Sequence, residues 1–172
     1  MLRTEEPLFV ATKLLATGQM SNSWIAGKTW SMITRSDDDA LNALLPHVGG
    51  VGVVNWVKTY YGISFLGTTP HKAGCWGNTQ ITAKGIAYFY RRMNHDGRVA
   101  PWLVNALHHY QGYAADGTNQ TFGIPQAASG VGVKQGWDTA LRIRTARSST
   151  PPGSSAATGL QWPSSRTPTT GR

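Results

Sequence analysis

The chain is poor in cysteine, in acidic residues and in long apolar runs, and each shortage removes a class of protein. Its single cysteine, Cys75, excludes an internal disulfide and reads as a small half-buried apolar residue rather than a reactive thiol. No run of 18 apolar residues occurs, so no membrane-spanning helix is expected. Met1-Leu2-Arg3-Thr4-Glu5-Glu6-Pro7 has no basic segment leading into an apolar stretch and a small-residue cleavage site, so no signal peptide is visible. Only 8 Asp+Glu stand against 16 Lys+Arg, for a net charge of +8. That excess is concentrated rather than spread: residues 1–138 hold all 8 acids and 11 of the basic residues, and residues 139–172 hold five Arg and no acid. Such a tail gives weak, salt-sensitive contact with polyanions. No base-reading motif accompanies it, so specific nucleic-acid binding is not expected.

What is present is enough for one domain with a real core: 172 residues, 40% of them hydrophobic, with seven Trp. The ordered domain is read as residues 1–138. In residues 139–172, 20 of 34 residues are Ser, Thr, Pro or Gly, too little apolar surface to offset ordering entropy, and disorder is expected there. Glu5 to Leu15 reads as a helix with Pro7 in its first turn, acids facing its positive end, and Gly18 ending it. Trp24 to Ile33 is a second apolar segment. Asp38 or Asp39 is expected to cap the next helix, with Leu41, Leu44 and Leu45 inward and Pro46 and Gly49-Gly50 breaking it. Val51 to Tyr61 is again helical, with Val54, Val57 and Tyr61 inward. A loop is expected from Gly62 to Gln80. Thr82 then caps a periodic helix through Met93, with Ile86, Phe89 and Met93 inward and Arg91 and Arg92 outward. Asn94-His95-Asp96-Gly97 is a turn, and Pro101 to Tyr110 a further helix. Val131-Gly132-Val133 is the one segment that reads as a strand.

Two motifs stand about a hundred residues apart. Ser36-Asp37-Asp38 opens an apolar helical run, and Lys134-Gln135-Gly136-Trp137 follows the short alternating stretch. In that order, and with the flanks Met32-Ile33-Thr34-Arg35 and Asp39-Ala40-Leu41-Asn42-Ala43-Leu44, they resemble the Ser-x-Asn and Lys-(Thr/Ser)-Gly signatures of the penicillin-recognising serine hydrolases, the family of class A β-lactamases and D,D-peptidases. Trp76-Gly77-Asn78-Thr79-Gln80-Ile81-Thr82-Ala83 is similar to the family's entry to the following helix. Phe122-Gly123-Ile124-Pro125 resembles actinobacterial members. The likeness covers residues 8 to 137. It implies acyl-transfer chemistry on β-lactams or D-Ala-D-Ala peptides. Ser36 would relay protons, Lys134 would supply positive charge for the substrate carboxylate, and Asp38, Gln135 and Gly136 would line the substrate site.

The departures from the pattern are as informative. No Ser-x-x-Lys, the family's nucleophile motif, occurs in the chain. A register along Phe9-Val10-Ala11-Thr12-Lys13-Leu14-Leu15 puts Thr4 at the nucleophile position and Pro7 at that of its lysine, and Pro7 supplies no amine. Asp38 stands where the family has Asn. An ionised Asp only accepts hydrogen bonds, so it repels a substrate carbonyl unless it is protonated or paired with Lys134. Gln135 replaces a hydroxyl residue and keeps hydrogen-bonding capacity. Residues 62–82 contain no Asp or Glu to activate a deacylating water. Few strands are legible, so the resemblance implies a partial domain, from a truncated or frame-shifted reading.

The expected fold class is therefore α+β: mainly the helical part of a serine β-lactamase/transpeptidase-like fold, with one recognisable edge strand and a disordered tail. The expected function is a serine hydrolase-like domain that is catalytically incompetent as written. Ser36 and Lys134 are its candidate catalytic pair. The alternative is a non-catalytic binding protein for a cell-wall peptide or a polyanion. No cofactor is expected. His108-His109 do not suggest a metal site, because adjacent helical residues point about 100° apart and no third ligand stands at suitable spacing. Members of the family act outside the cytoplasm, while this chain shows no export signal.

Overall fold

The computed structural model describes residues 5–69 and 76–136. The expectations for Thr4, Cys75, Trp137 and the 139–172 tail lie outside them. Among the described residues the fold is mostly helical with one small antiparallel sheet, an α+β arrangement. Its helices are α1 (Glu6–Ala16), α2 (Ser23–Thr34), α3 (Asp38–Leu44), α4 (Val53–Tyr61), α5 (Ala83–Asn94), α6 (Ala100–His108) and the single turn α7 (Ile124–Ala127). The sheet pairs β1 (Gly67–Thr68) with β2 (Gln80–Ile81). Among the described residues no single helix is long and apolar enough to cross a membrane.

Helix α1 is the axis of the core. Leu8, Phe9, Val10, Ala11 and Leu14 have no exposed surface, and α1 packs against α2, α3 and α4. A helix apolar on nearly every side must be enclosed on every side. Thr12 fits this setting by donating its hydroxyl proton to Leu8 O at 2.7 Å. Phe9 meets Phe89 of α5 edge to face, with centroids 5.1 Å apart. Leu41 and Leu44 of α3, Val54 and Val57 of α4, and Phe89 and Met93 of α5 complete this core as the apolar spacing predicts. Leu45 is only partly buried, because α3 has ended and Pro46 opens a 3-10 turn. Arg91 and Arg92 face solvent.

Three sequence expectations are corrected. The cap of α3 is Asp37, whose carboxylate accepts from Ala40 N at 2.9 Å, rather than Asp38 or Asp39. The chain turns at Ser36, the only non-glycine at positive φ (48°) among the described residues, and this brings the helix start forward by one residue. Part of the expected 62–80 loop is sheet. Gly67 makes this possible, since a Cβ there would sit 2.1 Å from Gln80 O. The expected strand at 131–133 forms no ladder. Val133 N donates to Leu107 O at 3.1 Å, so the segment lies against the end of α6, whose unpaired carbonyl takes the place of a strand partner.

Candidate functional site

Four parts of the chain converge beside the first turn of α1. The α2–α3 corner contributes Ser36, Asp37 and Asp38. The connection after α6 wraps the end of α2 through Gln111 N donating to Thr34 O and Ala115 N to Arg35 O, at 2.8 and 2.7 Å, and so delivers Gln120. Residues 133–136 deliver Lys134, Gln135 and Gly136. The turn after residue 75 delivers Trp76, whose indole N–H is fixed by Asn42 Oδ1 at 2.9 Å. Pro7, Met32, Ser36, Asp37, Asp38, Leu41, Trp76, Lys134, Gln135 and Gly136 line one cavity of about 50 Å³. All five residues singled out from the sequence are on its wall. A volume of this size holds a few waters, or the end group of a ligand whose bulk stays in the mouth.

Lys134 and Ser36, 98 positions apart, are in direct contact: Lys134 Nζ donates to Ser36 Oγ at 2.5 Å and to Gln135 O at 2.8 Å. Two of its three N–H groups are thus placed among the described residues. The Ser36 hydroxyl donates to Gln120 Oε1 at 2.6 Å. Gln120 is buried, and its amide nitrogen donates to Gln111 O at 2.9 Å and Thr34 O at 3.4 Å, so its oxygen is aimed at Ser36. Gln135 uses its amide nitrogen on Gln120 O and Phe122 O, at 3.1 and 2.6 Å. Its role in these contacts is to hold the Lys134 segment against the loop rather than to offer a donor to the cavity.

The electrostatics are those of charge withdrawn from water. Burial pushes the Lys134 ammonium down to about 8, against the pull of Glu5 and Asp38. Burial raises the Glu5 carboxyl to about 7, with Lys134 opposing. It raises Glu6 to about 7 as well, opposed by Thr79, whose hydroxyl donates to Glu6 Oε2 at 2.5 Å. Glu5 Oε2 and Glu6 Oε1 are enclosed without a hydrogen-bond partner among the described residues. Burial also raises Asp38; Lys134 opposes this, while Asp116, Asp37 and Asp39 add to it. Asp37 behaves oppositely. Burial pushes it up, but hydrogen bonds from Ser31 and Ala40 N and the charges of Lys28 and Arg35 outweigh that and hold it below the usual carboxylate range.

Sequence reading missed Gln120, Glu5 and Glu6. Gln120 lies in a polar connection with no motif. The two glutamates look like ordinary first-turn acids; the overlooked signal is the apolar run Leu8 to Ala11 directly after them, which leaves that turn no solvent face. The expected absence of any Thr-x-x-Lys is corrected by the sequence itself, which holds one from Thr69 to Lys72, running beyond the described residues. No three His, Cys, Asp or Glu converge as a metal site among the described residues. Comparison with protein-family models, curated proteins and solved structures gives no match for this chain.

Proposed function

We propose that the chain is a serine hydrolase-like domain of the β-lactamase/penicillin-binding, D-Ala-D-Ala peptidase type, whose cleft binds a carboxylate-bearing β-lactam or cell-wall peptide without turning it over. The observation that carries this reading is the contact of Lys134 Nζ with Ser36 Oγ inside a single cavity, the meeting of two motifs that the resemblance implies. The central, enclosed α1 and the Ser36 corner favour the same proposal for the fold: the helical part of a serine β-lactamase/transpeptidase-like domain. Lys134 would receive the ligand carboxylate through its third N–H, a charge-assisted bond in a site partly withdrawn from water.

The chemistry of the pair as placed supports an absence of turnover. An acyl transfer needs a nucleophile whose proton is directed to a base. Ser36 instead directs its proton to an amide oxygen and accepts one from Lys134. No Ser-x-x-Lys stands elsewhere in the chain, and its Thr-x-x-Lys, Thr69 to Lys72, runs beyond the described residues. Incubation with a labelled penicillin, followed by equilibrium binding and intact-mass measurement, tests both halves. Saturable, reversible binding with no mass increase is expected. A stable adduct would overturn the lack of turnover, and absence of binding would overturn the cleft.

A further inference from the structure

The wall of the cavity carries two groups of opposite charge, Lys134 and Asp38. Lys134 supplies an ammonium with two of its N–H groups already placed. Asp38, exposed at the mouth, supplies a carboxylate that accepts no hydrogen bond among the described residues, whereas its neighbour Asp37 is occupied by Ser31 and Ala40 N. Asp116, Asp37 and Asp39 lie near enough to act on Asp38, and Lys134 acts on it in the opposite sense. An ionised carboxylate accepts and never donates. It therefore disfavours a ligand carbonyl and favours an N–H, most of all a charged one. Trp76 on the same wall adds an aromatic surface beside which a cation is favourable.

We infer that the cleft selects zwitterionic ligands of the amino-acid or short-peptide class, with Lys134 receiving the carboxylate and Asp38 the ammonium. The inference rests on the ligand-binding reading above and adds to it the residue that sets specificity. Lys134 alone would accept any small carboxylate, and Asp38 divides that class by its other end. The small volume suits such a ligand, since one charged group fills the cavity and the other reaches the mouth.

The test compares D-alanyl-D-alanine with its N-acetyl form, which share a carboxylate and differ in the ammonium. Each is titrated calorimetrically into the full chain at neutral pH. The free dipeptide is expected to bind about tenfold tighter, the size of one hydrogen bond to a charged group. In Asp38→Asn, nearly isosteric and at an exposed position, that preference is expected to vanish, the free dipeptide weakening and the N-acetyl form no longer being disfavoured. Equal affinity of the unaltered chain for the two forms overturns the Asp38 assignment alone and needs no variant to fold. Binding of neither form overturns this inference together with the functional reading beneath it.

Discussion

The first turn and the middle of α1 are both buried and could hardly differ more in what that burial does. From Leu8 to Leu14 the helix gives apolar surface to its neighbours, and each enclosed side chain stabilises the fold by roughly 1.5–3 kcal/mol. One turn earlier, Glu6 is equally enclosed, with one carboxylate oxygen partnered and the other not. Glu5, close enough to Lys134 for the two charges to act on each other, has an oxygen in the same condition. Burial there costs free energy unless the group is paired or neutralised. The contrast shows how one helix can hold the domain together at one end and support a polar, strained, small cavity at the other.

The contrast breaks most sharply in the apolar half. Phe9→Ala removes a ring packed on Phe89 and should lower stability by about 3–5 kcal/mol in denaturant unfolding. Its effect should vary less with pH than that of Glu6→Gln, because its ring packs on Phe89, which carries no titratable group.

The polar half predicts pH dependence. Glu5 and Glu6 have folded-state values near 7 against 4.5, so the folded state holds more protons between those values, and stability falls as pH rises through that window. Lys134 is lowered from 10.5 to about 8, so the unfolded state holds more protons between 8 and 10.5, and stability recovers there. A minimum near pH 7–8 is expected, on the order of 5 kcal/mol below the value at pH 5 if the two carboxyls act independently. Glu6→Gln should flatten the acid side of that profile, and thermal melts across pH measure it.

Ser36 tests the strain. At φ 48° a Cβ is unfavourable, so Ser36→Gly should be more stable than Ser36→Ala by about 1–2 kcal/mol, although both lose the same hydroxyl contacts. Thr82 stands apart from both regions. Its Oγ1 accepts from Gly85 N at 2.8 Å, and Thr82→Ala should cost about 1 kcal/mol, equally at every pH.

The apolar half was legible in sequence because periodicity encodes it. Phe89 and Met93 recur at helical spacing, and Thr82 announces its own helix. The meeting of Ser36 with Lys134 was legible only through motif order and the resemblance it suggested. The surroundings of that contact were not. Gln120 reaches Ser36 by the path of a loop, and no local pattern records such a path. Glu5 and Glu6 have the chemistry of surface acids, and only the absence of a free helix face betrays them. The strand expected at 131–133 shows the same limit: alternation in sequence is necessary for a ladder, yet the neighbour that Val133 finds is the end of α6.

A calorimetric titration of benzylpenicillin into the unaltered chain and into Lys134→Met probes the cleft at its centre. A single saturable site that weakens at least tenfold in the variant is expected, the loss of one charge-assisted bond. Equal affinity in both proteins, with the variant folded by circular dichroism, would contradict a carboxylate site at Lys134.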